Sequence, residues 1–509
     1  MTKKIFDNLL VLDLANNHFG DVSHAKNIIK KFGIIRKKYN LNSTIKFQFR
    51  QLPEFVHEDY RNSDIKYVRR FLDTRLSDKK FFEIFKFIKK NKFKTSCTPF
   101  DEGSISKIEE FGFDILKIAS VSALDFNLHE RACKNKIPKI ISTGGIKLED
   151  IDKIVSFYSK KSQKFALMHC VSIYPSDNNC LNINFISNLK KRYDDVPIGW
   201  STHERPDEIL PAVLAMSKGA SIFEKHIGIK TKRYKLNDYS ITPETFDNWC
   251  KNFLEAEKIL GNYNKKIFSQ ELETIKSLSR GVYAKKNIKV GDVLNNANTF
   301  FAIPLNKGQL PSQDLKKGTI SKTNIKKNKS INTNNIKYNK DLLLEYQIKA
   351  YLHKAKAMLN YNNIKVGKSF DLEISHHKGI KNFEKVGCFL FNIVNREYAK
   401  KLLVMLPNQK HPSHFHQKKT ETFIMVAGKL KLKDGNKIFN LTPGDIVHLD
   451  KSSWHSFEAG NQGCIFEEIS TTSYKNDSFY ENKNIKKLDR DMRKTYVKNW
   501  FSVTGKIKY

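Results

Sequence analysis

Short apolar runs alternate with longer amphipathic segments along residues 1–265. Segments 23–39, 103–112 and 207–219 carry apolar residues at helical spacing, and the last two end in the glycine that commonly follows a helix. Eight strand–helix units in about 260 residues are typical of a (β/α)8 barrel, so a TIM barrel is predicted here. The eight apolar runs are LLVLDLA (9–15), TIKFQF (44–49), KTSCTPF (94–100), ILKIAS (115–120), KIISTG (139–144), FALMHC (165–170), PIGWST (197–202) and ASIFEKH (220–226).

The pattern changes after residue 265, and further modules are expected. Residues 275–320 carry short strand and turn signals around IKVGD and predict a second, smaller module. Residues 321–341 are polar and basic and are interpreted as an exposed linker. Residues 342–480 open with a helical pattern and continue as alternating β-strands, whereas 481–509 are interpreted as a basic carboxyl-terminal segment. The predicted fold class is multidomain, α/β followed by β.

Polar side chains end the predicted barrel strands, where barrel enzymes place their active sites. His203 and His226 follow adjacent strands, and neutral imidazole is the commonest metal ligand. Together with Asp13 or Glu224 they form a mixed nitrogen and oxygen set, which suits Mn²⁺, Mg²⁺ or Zn²⁺ acting as a Lewis acid. Cationic and hydroxyl side chains at the same strand ends suit a phosphate or a carboxylate. These side chains are Lys46, Lys117, Ser120, Ser142 and Ser201.

A set of motifs resembles the sialic acid synthase family. The motifs LDLANNHFG, IKFQ, CTPFDEGSI, KIAS, ISTGG, MHCVSIYP, GWSTHE and FEKH occur in this order between about residues 8 and 260. Residues 275–320 resemble the small antifreeze-like (SAF) domain of the same family. The resemblance implies an N-acetylneuraminate synthase-like transferase, which condenses phosphoenolpyruvate with a sugar aldehyde to give a sialic acid-like 3-deoxy ulosonic acid and releases phosphate.

The resemblance also implies roles for individual residues. His203 and His226 match the family's metal ligands, and Mn or Mg is the expected ion of the barrel. The residues expected to be catalytic are Asp13, Lys46, Lys117 and Tyr174. The residues expected to bind substrate are Gln48, Ser120, Ser142, Ser172, Ser201 and Asn237, with Asp238 the alternative to Asn237 on the sugar side.

Three positions of the barrel depart from the family pattern. Ser122 stands where a glutamate is usual two residues beyond the KIxS serine, and Asp13 stands where the first strand usually ends in glutamate. Ser172 replaces the asparagine of the HCxNxYP motif. A general acid or base is therefore expected from Asp125, Glu224 or a metal-bound water.

The small module departs from the family as well. Family members share this domain across a homodimer and use one of its arginines to reach the sugar of the neighbouring subunit. The segment FFAIPLNKGQLPS has no arginine and offers only Lys307 and Gln309. A homodimer is still expected, and the half of the site that binds the acceptor sugar is expected to be altered.

A second set of potential metal ligands lies near the carboxyl terminus. His414 and His416 are two residues apart and share one face of a strand, Glu421 follows, and WHSF then supplies His455. This pattern resembles the cupin superfamily, whose small β-barrel binds one divalent metal through an HxH pair, a glutamate and a later histidine. The resemblance implies Mn, Fe, Zn or Ni, and a metal-free structural cupin is the alternative. A role in binding or isomerising a sugar is expected, although cupin ligands alone do not specify a reaction.

Composition adds a competing interpretation. The chain has 90 Lys and Arg against 53 Asp and Glu, a net charge of +37, which raises nucleic acid as a partner. The lysines are spread from end to end, often beside asparagines, and lack the interleaved aromatic residues of a strand-binding groove. Nucleic acid is therefore not expected as a partner, and a basic nucleic-acid-binding protein remains the alternative from another class. A 2-keto acid aldolase or lyase is the alternative enzyme.

The cysteines and the apolar stretches bear on location. Seven cysteines without a CxxC pair favour a reducing compartment. Asp13 interrupts the amino-terminal apolar run, and no uncharged stretch approaches the roughly 18 residues that span a bilayer. A cytoplasmic protein without membrane contact is expected.

Overall fold

The computed structural model describes residues 3–201 and 203–500, with the side chains of residues 3 and 4 excepted. Thr202, predicted to end the seventh strand, and residues 501–509 of the predicted basic segment lie outside these ranges. The chain divides into two compact units, 1–265 and 266–509. Within the described ranges, no helix combines the length and the apolar character that crossing a membrane demands.

The first unit is a closed barrel of eight parallel strands in sequence order, with the eighth strand paired to the first. Its strands are buried almost throughout, because helices cover the outside of a parallel barrel and side chains fill the inside. All eight fall on the apolar runs, so the TIM barrel prediction is confirmed. The strands are β1 (Leu9–Asp13), β2 (Ser43–Phe49), β3 (Lys94–Pro99), β4 (Ile115–Ile118), β5 (Lys139–Ser142), β6 (Phe165–Cys170), β7 (Ile198–Ser201) and β8 (Ile222–His226).

Eleven helices belong to this unit within the described residues. Local signals mark the ends of the helix at residues 102–111: the side chain of Asp101 accepts a hydrogen bond from Ser104 N at 2.7 Å, and the helix is followed by Gly112, whose φ of 74° favours glycine. The helices are α1 (Lys3–Phe6), α2 (Val22–Tyr39), α3 (Leu52–Phe55), α4 (Lys66–Asp73), α5 (Asp78–Lys90), α6 (Glu102–Phe111), α7 (Phe126–Ala132), α8 (Leu148–Lys160), α9 (Phe185–Arg192), α10 (Leu210–Ser217) and α11 (Pro243–Leu260).

The second unit begins with a helix and a small β module, which extends to residue 338. Ile325, Ile331 and Ile336 are buried with Val282 and Leu310 in one core. The interpretation of residues 321–341 as an exposed linker is therefore wrong, because isolated isoleucines in a polar stretch anchor it to this core. The elements are α12 (Ser269–Leu278), β9 (Gly281–Ala284), β10 (Thr299–Ala302), β11 (Ile320–Ser321) and β12 (Ile336–Lys337).

The rest of the second unit is a β domain with a long helix packed on it. Its helices are α13 (Lys340–Tyr361) and α14 (Lys483–Lys486). Its strands, which pair antiparallel, are β13 (Ser369–Ser375), β14 (Cys388–Asn395), β15 (Tyr398–Met405), β16 (Lys410–Phe415), β17 (Glu421–Asp434), β18 (Lys437–Leu441), β19 (Ile446–Leu449), β20 (His455–Thr471), β21 (Phe479–Tyr480) and β22 (Lys494–Asn499).

The last strand changes the boundary expected for this domain. Strand β22 pairs with β13, and Val497 and Trp500 are buried in the same core as Leu372. Residues 481–500 are thus part of the β domain and not a separate basic segment. In β22 the buried Thr495 and Val497 alternate with the less buried Lys494, Tyr496 and Lys498, and this alternation places one face of the strand in the core.

Candidate functional site

Four charged residues from four barrel strands form one buried group. Lys46 Nζ lies 3.0 Å from Asp13 Oδ2 and 2.7 Å from Glu224 Oε1. Lys117 Nζ donates a hydrogen bond to the other oxygen, Glu224 Oε2, at 2.7 Å. We call Asp13, Lys46, Glu224 and Lys117 the charged ladder; all four are buried. Two cations thus balance two anions inside the barrel.

Mutual stabilisation decides the protonation states of the ladder. Burial opposes the charge of Glu224, but Lys117 and Lys46 outweigh it and hold the carboxyl pKa well below its usual range. Burial also opposes the charge of Lys46, yet Asp13 and Glu224 raise its pKa. For Lys117 burial dominates and lowers the pKa. Glu224 is therefore ionised with both oxygens occupied, so it positions the lysines and does not act as the general acid.

His203 and His226 lie side by side, with ring centroids 5.2 Å apart. His203 Nδ1 donates to the Val171 carbonyl oxygen at 3.0 Å, so Nε2 carries the lone pair. His226 Nδ1 is buried 3.5 Å from Asp13 Oδ2 and has no hydrogen-bond partner among the described residues. Burial lowers the pKa of His226 and lowers that of His203 to about 3. Two neutral imidazoles beside a carboxylate fit a divalent metal.

Hydroxyl groups gather at the turn after strand β5. Ser120 Oγ accepts a hydrogen bond from Gly144 N at 3.1 Å. A Cβ at Gly144 would lie 2.8 Å from Ser120 Oγ and 2.5 Å from Ser172 Oγ, so only glycine lets these two serines approach the turn. Ser142 and Ser201 are buried at the ends of β5 and β7. The structure brings Ser120 and Ser172 together.

Aromatic rings cover the two histidines. The ring centroid of Tyr174 lies 3.8 Å from that of His203, and about half of the Tyr174 side chain is exposed. Tyr239 packs edge-on against both imidazoles, with centroids 5.7 Å from His203 and 5.1 Å from His226. Sequence reasoning missed Tyr239, although it lies two residues beyond Asn237. Burial raises the pKa of Tyr174, so its hydroxyl keeps its proton at neutral pH.

Two residues expected on the sugar side have well-defined partners. Gln48 Nε2 donates to Asp13 Oδ2 at 3.1 Å, which joins Gln48 to the charged ladder. Asn237 Oδ1 accepts from Tyr239 N at 3.3 Å, and its Nδ2 donates to Asn17 Oδ1 at 3.5 Å. Asn237 therefore holds the loop that carries Tyr239, and Asn17 is a further residue that sequence reasoning missed.

Several positions considered as replacements for family residues do not join the ladder. Asp125 Oδ1 accepts from Leu128 N at 3.2 Å and caps helix α7, and Ser122 is buried in the turn before it. In the small module, Gln309 is buried and donates to the Val282 carbonyl oxygen at 2.9 Å, whereas Lys307 is exposed. The side chain of Gln309 thus stabilises its own module.

A second histidine cluster lies in the β domain. Ligand nitrogens of His414, His416 and His455 all lie within 4.8 Å of one another, and the three side chains are buried. In each ring Nδ1 donates to a backbone carbonyl oxygen, so each Nε2 carries the lone pair. The three acceptors are Pro412 O at 3.0 Å, Asp477 O and Ser453 O at 3.0 Å.

Glu421 completes this cluster. Its Oε1 lies 3.5 Å from His416 Nε2 and its Oε2 lies 3.3 Å from His455 Nε2. Glu421 Oε2 and His455 Nε2 are buried without a hydrogen-bond partner among the described residues. Buried polar atoms normally have a partner, so these two atoms are suited to coordinate a metal. Lys419 Nζ lies 2.5 Å from Glu421 Oε1 and orients the carboxylate. The structure brings together all four residues of the predicted set, and they fit a divalent metal.

Comparison with known proteins gives a family match for the barrel and for the β domain. The model of the NeuB family matches residues 38–265, and that of the cupin domain matches residues 401–466. The solved structure of a putative spore coat polysaccharide biosynthesis protein E from Chromobacterium violaceum is 36% identical, covers 65% of this chain and 99% of its own, and superimposes with a TM-score of 0.62.

Two curated relatives cover similar parts of the chain. The N,N'-diacetyllegionaminic acid synthase of Campylobacter jejuni is 26% identical over 58% of this chain and 91% of its own length. The N-acetylneuraminate-9-phosphate synthase of Homo sapiens is 24% identical over 56% of this chain and 80% of its own length. The matched ranges thus pair a TIM barrel with a cupin domain. The chain belongs to the NeuB family and carries a carboxyl-terminal cupin domain.

Proposed function

We propose that the barrel is a synthase that joins phosphoenolpyruvate to a sugar aldehyde, forms a sialic acid-like 3-deoxy ulosonic acid and releases phosphate. The observation that carries this proposal is the buried charged ladder beside two neutral histidines at the carboxyl ends of the strands. Membership of the NeuB family supports it, and so do relatives named as synthases of legionaminic acid and of N-acetylneuraminate 9-phosphate.

The proposed reaction balances with phosphoenolpyruvate, the sugar aldehyde and one molecule of water as its reactants. C3 of phosphoenolpyruvate forms a bond to the aldehyde carbon, whose oxygen becomes a hydroxyl. Water adds at C2, the bond from C2 to the phosphate oxygen breaks, and C2 becomes a keto group. Negative charge develops on the aldehyde oxygen and on the departing phosphate, where fixed donors and cations stabilise the transition state most.

The ladder supplies the cations of this reaction. Lys46 and Lys117 bind the carboxylate and the phosphate of phosphoenolpyruvate, and Glu224 holds both ammonium groups at 2.7 Å so that they need no reorganisation. Because burial lowers the pKa of Lys117, we assign proton transfer to the departing phosphate to Lys117 Nζ. The serine hydroxyls near the turn after β5 donate to the remaining oxygens.

The histidine side of the site positions the acceptor. A divalent metal, Mn²⁺ or Mg²⁺, held by His203 and His226 would supply Lewis acidity toward the aldehyde oxygen. Asp13 accepts hydrogen bonds from Ala15 N at 2.9 Å and from Gln48 Nε2 at 3.1 Å, so its carboxylate is fixed next to His226. Tyr174 and Tyr239 cover the imidazoles and limit the access of water.

Phosphate release tests the proposal directly. A panel of amino and deoxy sugars is incubated with phosphoenolpyruvate and Mn²⁺, and we expect phosphate and a 2-keto acid sugar to form in equal amounts. Pyruvate in place of phosphoenolpyruvate is the control, because an aldolase would use it and release no phosphate. Product from pyruvate alone, or no phosphate with any acceptor, would refute the synthase.

For the cupin domain we propose a divalent metal at His414, His416, Glu421 and His455 that binds a sugar related to the barrel's substrate. The proposal of a metal is supported by the three histidine rings, whose ligand nitrogens lie close together, and by Glu421 Oε2, which has no hydrogen-bond partner among the described residues. Mn, Fe, Zn and Ni all suit such a mixed set of nitrogen and oxygen ligands. Isothermal titration with each ion, followed by a sugar panel, tests both statements.

A further inference from the structure

A cationic pocket lies beside strand β2, outside the charged ladder. Residues 49–53, residues 72–81 and helix α6 contribute to its wall, and it encloses about 370 Å³, within the usual size of small-molecule sites. Four of its lining residues are basic and one is acidic, and that acid, Asp78, is paired with Lys107 at 2.5 Å. The remaining basic residues are Arg50, Arg61 and Arg75. The pocket thus carries three positive charges that no carboxylate of its own lining offsets.

Strand β2 connects this pocket to the charged ladder. Lys46, Gln48 and Arg50 are spaced two residues apart, and such residues share one face of an extended chain. Gln48 Nε2 donates to Asp13 Oδ2 at 3.1 Å, and Arg50 Nη2 donates to Gln48 Oε1 at 3.0 Å. One amide side chain therefore links the ladder to the arginine of the pocket.

Arg50 is held rigidly by aromatic rings and keeps a hydrogen-bond donor without a partner among the described residues. Its guanidinium carbon lies 3.9 Å from the ring centroid of Phe71 and 3.7 Å from that of Phe100. Stacked aromatic rings cover the faces of a guanidinium and leave its edge for hydrogen bonds. Arg50 Nε is buried without an acceptor among the described residues. Burial lowers the pKa of Arg50 to about 10, so the group stays charged at neutral pH.

The other two arginines play different parts. Arg61 donates from Nε to the Val56 carbonyl oxygen at 3.3 Å and from Nη2 to that of Pro53, so it braces the wall of the pocket. Arg75 is exposed, and no carboxylate of the described chain forms an ion pair with it. A rigid arginine with an unsatisfied donor and an unpaired second arginine favour an anionic ligand.

We propose that this pocket binds an anionic group, a phosphate or a carboxylate, at the end of the acceptor sugar away from its aldehyde. The inference rests on the proposed function, since it deepens the choice of acceptor for the same barrel. With the aldehyde next to His203 and His226, the sugar extends past Gln48, and its far end meets Arg50 and Arg75. The barrel then selects acceptors by charge as well as by stereochemistry.

The test compares three acceptors that differ only at C6: an N-acetylhexosamine, its 6-phosphate and the corresponding uronic acid. We expect the wild-type chain to prefer one anionic acceptor by at least about 10-fold in kcat/KM, because charge-assisted hydrogen bonds are about twice as strong as neutral ones. The 6-phosphate and the uronic acid distinguish phosphate from carboxylate. Equal or better use of the neutral sugar would overturn the proposal.

Variants locate the effect in the pocket. Arg75→Gln should raise KM for the anionic acceptor about 10-fold more than KM for the neutral sugar, and Arg75→Lys should restore part of the preference. Arg69→Gln is the matched control, because Arg69 is an exposed arginine of the neighbouring helix α4 and lies outside the pocket lining. Equal losses for neutral and anionic acceptors in Arg75→Gln would contradict a role in charge selection.

Calorimetry separates this inference from the proposed function. The same sugars are titrated into the full chain without phosphoenolpyruvate. If no acceptor releases phosphate, but the sugar phosphate or uronic acid still binds in a manner that depends on Arg75, the synthase proposal fails and the pocket stands. If neutral acceptors are condensed, while anionic ones bind no better and do not depend on Arg75, the pocket proposal fails and the synthase stands.

Discussion

Lys117 donates to Glu224 at 2.7 Å although the two residues are 107 positions apart in the sequence. Strands β4 and β8 contribute these side chains, and closure of the barrel brings them to one buried point. Lys46 occupies the other oxygen of Glu224. A single carboxylate thus contacts two buried ammonium groups, of which only Lys46 has a second carboxylate partner, Asp13. Its loss therefore has consequences for both stability and chemistry.

Glu224→Gln should destabilise the barrel by about 3–5 kcal/mol, because removing one partner of a buried ion pair leaves uncompensated charge. Phosphate release should fall by more than about 100-fold, since the lysines lose their fixed positions. Urea unfolding, followed by tryptophan fluorescence, measures the first effect and the phosphate assay the second. Asp247→Asn removes a solvent-exposed ion pair with Lys38 and should cost far less stability, because water screens such a pair. Equal costs in the two variants would contradict the ladder's role.

Replacing either barrel histidine should separate metal binding from folding. We expect His203→Ala and His226→Ala to lose one metal equivalent per chain and to lose phosphate release, with circular dichroism unchanged. The physical reason is that the two imidazoles are neutral and lie side by side, with ring centroids 5.2 Å apart. His57→Ala, at an exposed position, is the control. Full turnover in both variants would remove the metal from the mechanism.

The barrel strands were predictable because each is buried on both faces and therefore reads as a continuous apolar run. Lys46 and Gln48 follow from the same pattern, since they are the polar residues within such a run. Arg50 does not, because its position depends on Phe71 and Phe100, which come from a helix and a loop elsewhere in the chain. The local sequence pattern around Arg50 does not predict contacts with residues so far away in the chain.

The end of the small module could not be predicted for a related reason. Residues 321–338 are polar on average; Ile325, Ile331 and Ile336 are buried in the core, and Tyr338 packs against it partly buried. Their spacing fits neither a helix nor an alternating strand, so composition alone favours a linker. By contrast, the cupin ligands His414, Glu421 and His455 lie on strands and His416 directly follows one, so the two-residue spacing of the HxH pair predicts a common face. The sequence therefore predicts that cluster well.

Acid should destabilise the barrel through His18. This ring is 5% exposed, and its Nδ1 accepts a hydrogen bond from Gly20 N at 3.1 Å, which requires the neutral form. Burial lowers its pKa from 6.5 to about 4, with His24 and Arg70 contributing. Between these values the unfolded chain binds a proton that the folded chain does not, so stability falls as pH falls from 6.5 to 4, by up to about 3 kcal/mol.

The dependence on pH is measured as the urea midpoint at several values between pH 7 and pH 4. His18→Asn, which keeps an acceptor and cannot titrate, should flatten the decline. The exposed His57 again provides the control, because His57→Ala should leave the decline as steep as in the wild type. A slope that is the same in His18→Asn and in the wild type would refute the assignment.

The cupin site should bind its metal independently of the barrel. His414→Ala or His455→Ala should remove one metal equivalent per chain and abolish the rise in melting temperature that added metal gives the wild type. Phosphate release should persist, because every residue assigned to it precedes position 240. His353→Ala, on the exposed side of helix α13, is the control. Loss of synthase activity in the cupin variants would show that the two sites are coupled.

Helix α12 bears on the predicted homodimer. Leu272, Ile275 and Leu278 follow one another at helical spacing, and each is at least 55% exposed in the single chain. A continuous apolar row of this kind favours contact with a second copy. We therefore expect light scattering at micromolar concentration to give twice the 59.1 kDa of one chain. Leu272→Glu should shift the protein to monomer, whereas Gln270→Glu, on the opposite face, should not. A monomeric wild type with full synthase activity would refute the homodimer, and a dimeric Leu272→Glu would place its interface elsewhere.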